Sequence, residues 1–174
     1  MHYVGGYTKL ILDDFRRRGL HQEASFIKPY LKVGQTILDC GCGPGSISCD
    51  VAAVISPGKV SAIDISHQSI TQAKQWAASR KIENIGFQVA EMTEVPFSKH
   101  TFDVVYAHAA LYHVREYEKA LKEIKRVLKP NGILALRDLN QANNKFSPSS
   151  DALDRAWTLI EKVFDVMGSD VNFG

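Results

Sequence analysis

The stretch TILDCGCGPGSIS, Thr36 to Ser48, places Asp39 just ahead of three glycines spaced Gly41-x-Gly43-x-Gly45. Glycines admit positive φ and let a backbone come close to a ligand. An apolar strand before such a loop and a helix after it make the junction at which open α/β sheets hold nucleotide-like cofactors. The spacing departs from the G-x-G-x-x-G of a dinucleotide fingerprint, and a carboxylate at Asp39 is a poor neighbour for a pyrophosphate. It suits a ligand with a cationic amine at that point. The Lys and Ser/Thr that complete a P-loop are missing after the last glycine. Asp64 closes the next apolar run about 20 residues further on, where a carboxylate can accept both hydroxyls of a ribose. The same acid also reads as a cap for the helix that follows it. His108 and His113 fall just after a later apolar run, where ligands of such sheets bind, and a histidine there has the ordinary pKa of a general base. Each also reads as a structural histidine bonded to backbone.

The elements that must position these groups follow from hydrophobic period. QTILDC, VSAID, IGFQVA, FDVVYAHA and ILALRD are five strand candidates, the central ones apolar on both faces as buried parallel strands are. Between them lie helix patterns from about Gly45 to Ile55, from an N-cap at Ser66 to about Arg80, and from Glu116 to Leu128. The last carries Tyr117, Ala120, Leu121, Ile124, Val127 and Leu128 on one face. KPNG reads as a tight turn leading into the fifth strand. Two helical stripes precede the first strand: Tyr7, Ile11 and Phe15, then Leu20, Ala24, Ile27 and Leu31. A final helix carries Leu153, Trp157, Ile160, Phe164 and Met167. Strands alternating with helices predict one α/β domain over 1–174, with a parallel sheet covered on both faces. Its parts are N-terminal helices or a lid (1–32), a cofactor-binding core (33–138), and a loop with the last helix (139–174).

Bulk properties exclude several classes. At 45% hydrophobic, 23% charged and a net charge of +2, the chain lacks the basic surface of a nucleic-acid binder. Arg16, Arg17 and Arg18 read as a solvated helix face. No run approaches the roughly 20 apolar residues of a membrane span, and the N-terminus has no signal core, so a cytoplasmic location is expected. Cys40, Cys42 and Cys49 have no second ligand pair at zinc-like spacing and make a poor disulfide framework. No metal site is expected; the cysteines read as small buried residues.

LDCGCGPGSIS, VSAIDIS, EVPFSKHTFDVVYAHAALYHV and IKRVLKPNGILALRD together resemble the class I S-adenosylmethionine-dependent methyltransferases. The likeness is to the ubiquinone and menaquinone biosynthesis group and covers roughly Val33 to Asp138. It implies a Rossmann-like sheet of order 3-2-1-4-5 and S-adenosylmethionine as cofactor, with S-adenosylhomocysteine as product. By the resemblance, Asp39, Gly41, Cys42 and Gly43 hold the methionine end. Asp64 takes the ribose, Ile65, Glu91 and Met92 flank the adenine, and Ala107 and His108 lie beside the methionine chain. Glu91 stands where the family usually has Asp, and Asn131 where KPGG has glycine. Tyr3 and Tyr7 resemble aromatic lids of some relatives and read equally as core packing.

The implied reaction is methyl transfer to a small-molecule O, C or N nucleophile, with His108 or His113 as base where the nucleophile is protonated. The NPPY motif of amide-nitrogen methylation is absent after the fourth strand. Relatives usually add two antiparallel strands after the point where this sequence stops. Their absence predicts an exposed apolar edge at ILAL and suggests a homodimer paired through it. The alternatives are a non-catalytic cofactor-binding or interaction protein derived from such a domain, and a nicotinamide-dependent oxidoreductase, which the glycine spacing and Asp39 oppose.

Overall fold

The computed structural model describes residues 8–140, 147, 150–167 and 169. It contains α1 (Lys9–Arg16), β1 (Thr36–Cys40), α2 (Ser46–Ile55), β2 (Lys59–Asp64), α3 (His67–Ser79) and β3 (Ile85–Val89). These are followed by β4 (Phe102–His108), α4 (Tyr117–Val127), β5 (Leu128–Arg137) and α5 (Asp151–Met167). The five strands form one sheet in the order β3-β2-β1-β4-β5, parallel throughout. This is the order expected from the resemblance.

Successive residues of the central strands point to opposite faces, so each strand feeds two cores. Ile37, Val60, Val104 and Tyr106 join Val51, Ala52 and Ile55 of α2 on one face. Leu38, Ile63, Val105 and Ala107 join Ile124 and Val127 of α4 on the other. Helices therefore cover both faces. The strand order reverses between β1 and β4, and their C-terminal ends open the crevice in which such sheets bind ligands.

Four local expectations need correction. The stripe Leu20, Ala24, Ile27, Leu31 is not an α-helix: turns lead into a 3-10 segment, Ser25–Tyr30. Pro29 lies inside it and removes a backbone donor. Leu20, Ala24 and Ile27 are nonetheless buried on the sheet. KPNG is no turn ahead of the strand but a bulge within β5. Phe102 pairs with Leu128 and Val104 already with Ile133, so the intervening residues loop out. Asn131 takes φ +65°, a conformation asparagine tolerates, and Lys129 fastens the bulge through its ammonium to Asp103 at 2.8 Å. In α1 the fully buried residue is Leu12, while Phe15 turns toward the crevice. On α5, Leu153 and Ile160 of the expected apolar stripe are exposed, and Trp157 and Phe164 are half-buried. No described helix is long and apolar enough to cross a membrane.

Candidate functional site

β1 ends at Cys40, and the chain turns at once. Gly41, Gly43 and Gly45 all take positive φ, +83°, +52° and +79°. Gly45 is the left-handed residue ahead of α2 and has no room for more: a Cβ there would sit 2.8 Å from Ala73 and 2.9 Å from Phe87. A Cβ on Gly41 would lie 2.5 Å from Ala110 Cβ and 3.0 Å from Met92 Cε. The loop is held on β2, not left open. Gly41 and Cys42 both donate their N–H to the Ile63 carbonyl, at 2.8 and 3.0 Å.

Asp64 joins that work. Its Oδ2 accepts from Gly43 N–H and its Oδ1 from Ser66 N–H, both at 2.8 Å. Burial holds its pKa above the ordinary carboxylate value, and those two N–H groups offset only part of that rise. The helix-end reading of Asp64 is therefore present in the geometry, since Ser66 is the N-cap of α3. An ionised carboxylate has about four acceptor sites, so two bonds leave others for a ligand.

Asp39 faces a different set. Its Oδ2 accepts from Ser48 Oγ and from the Tyr106 hydroxyl, both at 2.6 Å. Removal from water outweighs these bonds and raises its pKa to about 6. The thiols of Cys40, Cys42 and Cys49 are also pushed up, chiefly by burial, so they stay protonated at neutral pH. Among the described residues no cluster of side chains could hold a metal ion.

These groups surround a cavity of about 280 Å³ at the C-terminal ends of the strands. Of the residues singled out in the sequence, Asp39, Gly41, Cys42, Gly43, Asp64, Ile65, Glu91 and Met92 line it, as do His108 and His113. The side chain of Ala107 does not; it is buried in the opposite core. Tyr3 and Tyr7 lie outside the described residues. His108 stacks on Phe26, with ring centroids 6.2 Å apart. Burial, with help from Arg18 and Arg137, lowers its pKa to about 4. His113 Nδ1 lies 2.9 Å from Ser169 Oγ, and burial takes its pKa to about 4 as well.

Four contributors escaped the sequence reading. Ser48 and Tyr106 complete the Asp39 network: Ser48 comes from the first turn of α2, and Tyr106 is brought there only because β4 lies against β1. Asp138, at the end of ALRD, accepts from Ala110 N–H at 2.9 Å and so fixes the loop that faces Gly41. Ser69 is fully buried in the cavity wall, and its hydroxyl has no hydrogen-bond partner among the described residues.

Residues 31–167 match the family described as a methyltransferase domain. The chain belongs to the class I S-adenosylmethionine-dependent methyltransferases. Over 165 residues it is 36% identical to "Probable methyltransferase ltbC" of Aspergillus luteorubrus, covering 90% of this chain and 57% of that protein. It is 35% identical over 116 residues to the 2-phytyl-1,4-naphtoquinone methyltransferase of a Nostoc species, covering 66% of this chain and 51% of that one. A SAM-dependent methyltransferase from Aquifex aeolicus superposes with a TM-score of 0.71 at 21% identity, covering 93% of this chain and 88% of that one. That likeness shows the shared fold. This methyltransferase chain spans about half the length of the curated relatives it matches.

Proposed function

We propose that the domain binds S-adenosylmethionine in the cavity and transfers its methyl group to a small-molecule acceptor. One observation carries this reading: Gly41 faces Ala110 across a gap no side chain could share, beside an acid at the end of β2. The fit extends to Ser69, whose buried hydroxyl needs a partner from within the cavity. Asp39, Gly41, Cys42 and Gly43 would hold the methionine end, and the remaining acceptor sites of Asp64 the ribose hydroxyls. Ile65, Glu91 and Met92 would flank the adenine. When bound, the cofactor supplies a methyl group on a positively charged sulfur, which is electrophilic without further activation.

The chain's own task is then positioning. Holding a nucleophile at near-attack distance can lower a barrier by roughly 7–11 kcal/mol in favourable cases. Tyr112, Val114 and Leu139 give the cavity an apolar wall toward β4 and β5, which suits an aromatic or aliphatic acceptor. At neutral pH, His108 and His113 are neutral imidazoles that accept a hydrogen bond from an acceptor hydroxyl. With pKa values near 4 they gain little by keeping its proton. They orient the nucleophile more than they deprotonate it.

The test is calorimetric titration with S-adenosylhomocysteine and with NAD, followed by a labelled-methyl transfer assay on a panel of small phenols and quinols. Binding of S-adenosylhomocysteine alone with transfer to a panel member is expected. Binding without transfer to any acceptor would favour the cofactor-binding alternative, and binding of NAD would overturn the reading.

A further inference from the structure

The two histidines of the cavity are held by different parts of the chain. His108 stacks on Phe26, ahead of β1, and shares its stretch of wall with Arg18, which lines the cavity instead of standing on a solvated face. His113 is held from α5. The centroid of its ring lies 3.8 Å from that of Tyr112 and 6.2 Å from that of Phe164, with the Phe164 plane tilted by 19°. Just past the end of α5, Ser169 donates its N–H to the Phe164 carbonyl at 2.9 Å, which turns the chain back on the helix. Ser169 is only 7% exposed, and its Oγ stands 2.9 Å from His113 Nδ1. Most of α5 faces solvent, so a buried hydroxyl set against a cavity histidine contrasts with the helix that delivers it.

A neutral imidazole has one N–H and one lone-pair nitrogen, and the bond made by one decides the state of the other. A serine hydroxyl can donate or accept, so two arrangements satisfy the contact. If Ser169 donates to Nδ1, Nε2 carries the hydrogen. If Nδ1–H donates to Ser169, the lone pair is on Nε2. Only the second lets the ring accept from a hydroxyl of the methyl acceptor. The stacked rings fix the plane of the imidazole, and the hydroxyl fixes its rotation within that plane. We propose that Ser169 is a positioning residue: it accepts from His113 Nδ1–H and holds the imidazole in the tautomer with its lone pair on Nε2. This rests on the role given to His113 above. It brings α5 into the acceptor half of the cavity, through a residue remote from His113 in sequence.

The test reads the tautomer directly. Long-range nitrogen–proton correlation spectra are recorded at neutral pH on the chain carrying isotope-labelled histidine, with and without S-adenosylhomocysteine. His113→Gln assigns the ring. The wild type should carry the His113 hydrogen on Nδ1, and Ser169→Ala should show both tautomers. A neutral hydrogen bond lost from the positioned state should lower kcat by about 3- to 10-fold in Ser169→Ala. Acceptor KM and S-adenosylhomocysteine affinity should stay within about twofold, since the loss falls on the transition state. Ser169→Thr, which keeps the hydroxyl, should recover most of kcat and the single tautomer. Thr158→Ala, on the exposed face of α5, should change neither.

A hydrogen on Nε2 in the wild type would overturn the inference, since the ring would then donate to the acceptor. So would a Ser169→Ala chain with unchanged tautomer, even if kcat fell, because Ser169 would then only pack. A wild-type chain that transfers to no acceptor, or binds no S-adenosylhomocysteine, would instead overturn the methyl-transfer reading. The tautomer spectra would still decide what Ser169 does to His113.

Discussion

The two sides of the sheet are built differently. On the β1–β3 side, the glycine loop is held by two N–H bonds to Ile63, and Asp64 binds the backbone on both sides of itself. Asp39 is locked to Ser48 and Tyr106. On the β5 side, Leu134 and Leu136 are each 38% exposed on the edge strand, and Leu159, Val163 and Val166 of α5 are exposed too. One side is over-determined by polar bonds that burial makes costly to break; the other presents apolar surface with little packed on it. The lesson is that the geometry of the glycine loop is a property of backbone and buried carboxylates. Substitutions should act very unequally across the sheet.

The largest effect is expected at Gly41. Gly41→Ala puts a methyl where Ala110 already stands and holds an L-residue at φ +83°. Overpacking of about 1–3 kcal/mol should lower S-adenosylhomocysteine affinity by up to about 100-fold. Ala110→Gly in the same chain removes the opposing methyl, and partial recovery by titration calorimetry would locate the effect at that contact. A Gly41→Ala chain with wild-type affinity would break the contrast between the two sides.

Asp39 sharpens it next. Its pKa rises from 3.8 to about 6 on folding, so as pH increases from 4 to 6 the unfolded chain sheds a proton that the folded chain keeps. Stability from this group is full below pH 4 and is lost through pH 6, by about 3 kcal/mol at about 1.4 kcal/mol per pKa unit. Asp39→Asn lacks that loss. Its denaturant-derived stability relative to wild type should climb by that order between pH 4 and pH 7. A difference independent of pH would mean that Asp39 is ionised without penalty.

The smallest effect is expected on the other side. Leu136→Lys at the exposed edge should change stability by no more than about 0.5 kcal/mol. It should leave S-adenosylhomocysteine affinity unaltered. A large loss of stability would show that the edge is covered in solution, for example by the homodimer that an apolar edge suggests.

Much of this was legible from local pattern. The apolar runs that became β1, β2 and β4 are buried on both faces; that period set the strand count, and the resemblance supplied the order. The positive-φ glycines and Asp64 declared themselves by type and spacing. What stayed hidden depends on neighbours far apart in sequence. Tyr106 looks like one more apolar residue of a strand until β4 lies against β1 and brings its hydroxyl to Asp39. Arg18 looks solvated within RRR until α1 is anchored at Phe15 and Ser46. The apolar stripe of α5 predicts burial, but period measures only what a helix can bury, and most of α5 is exposed.

The most direct test of the central claim is a crystal structure of the chain with S-adenosylhomocysteine. The account predicts the amino-acid end against Gly41 and Gly43 and the ribose hydroxyls on Asp64, with adenine beside Ile65 and Met92. A ligand bound with its ribose away from Asp64, or outside the cavity at the ends of β1 and β4, would contradict it.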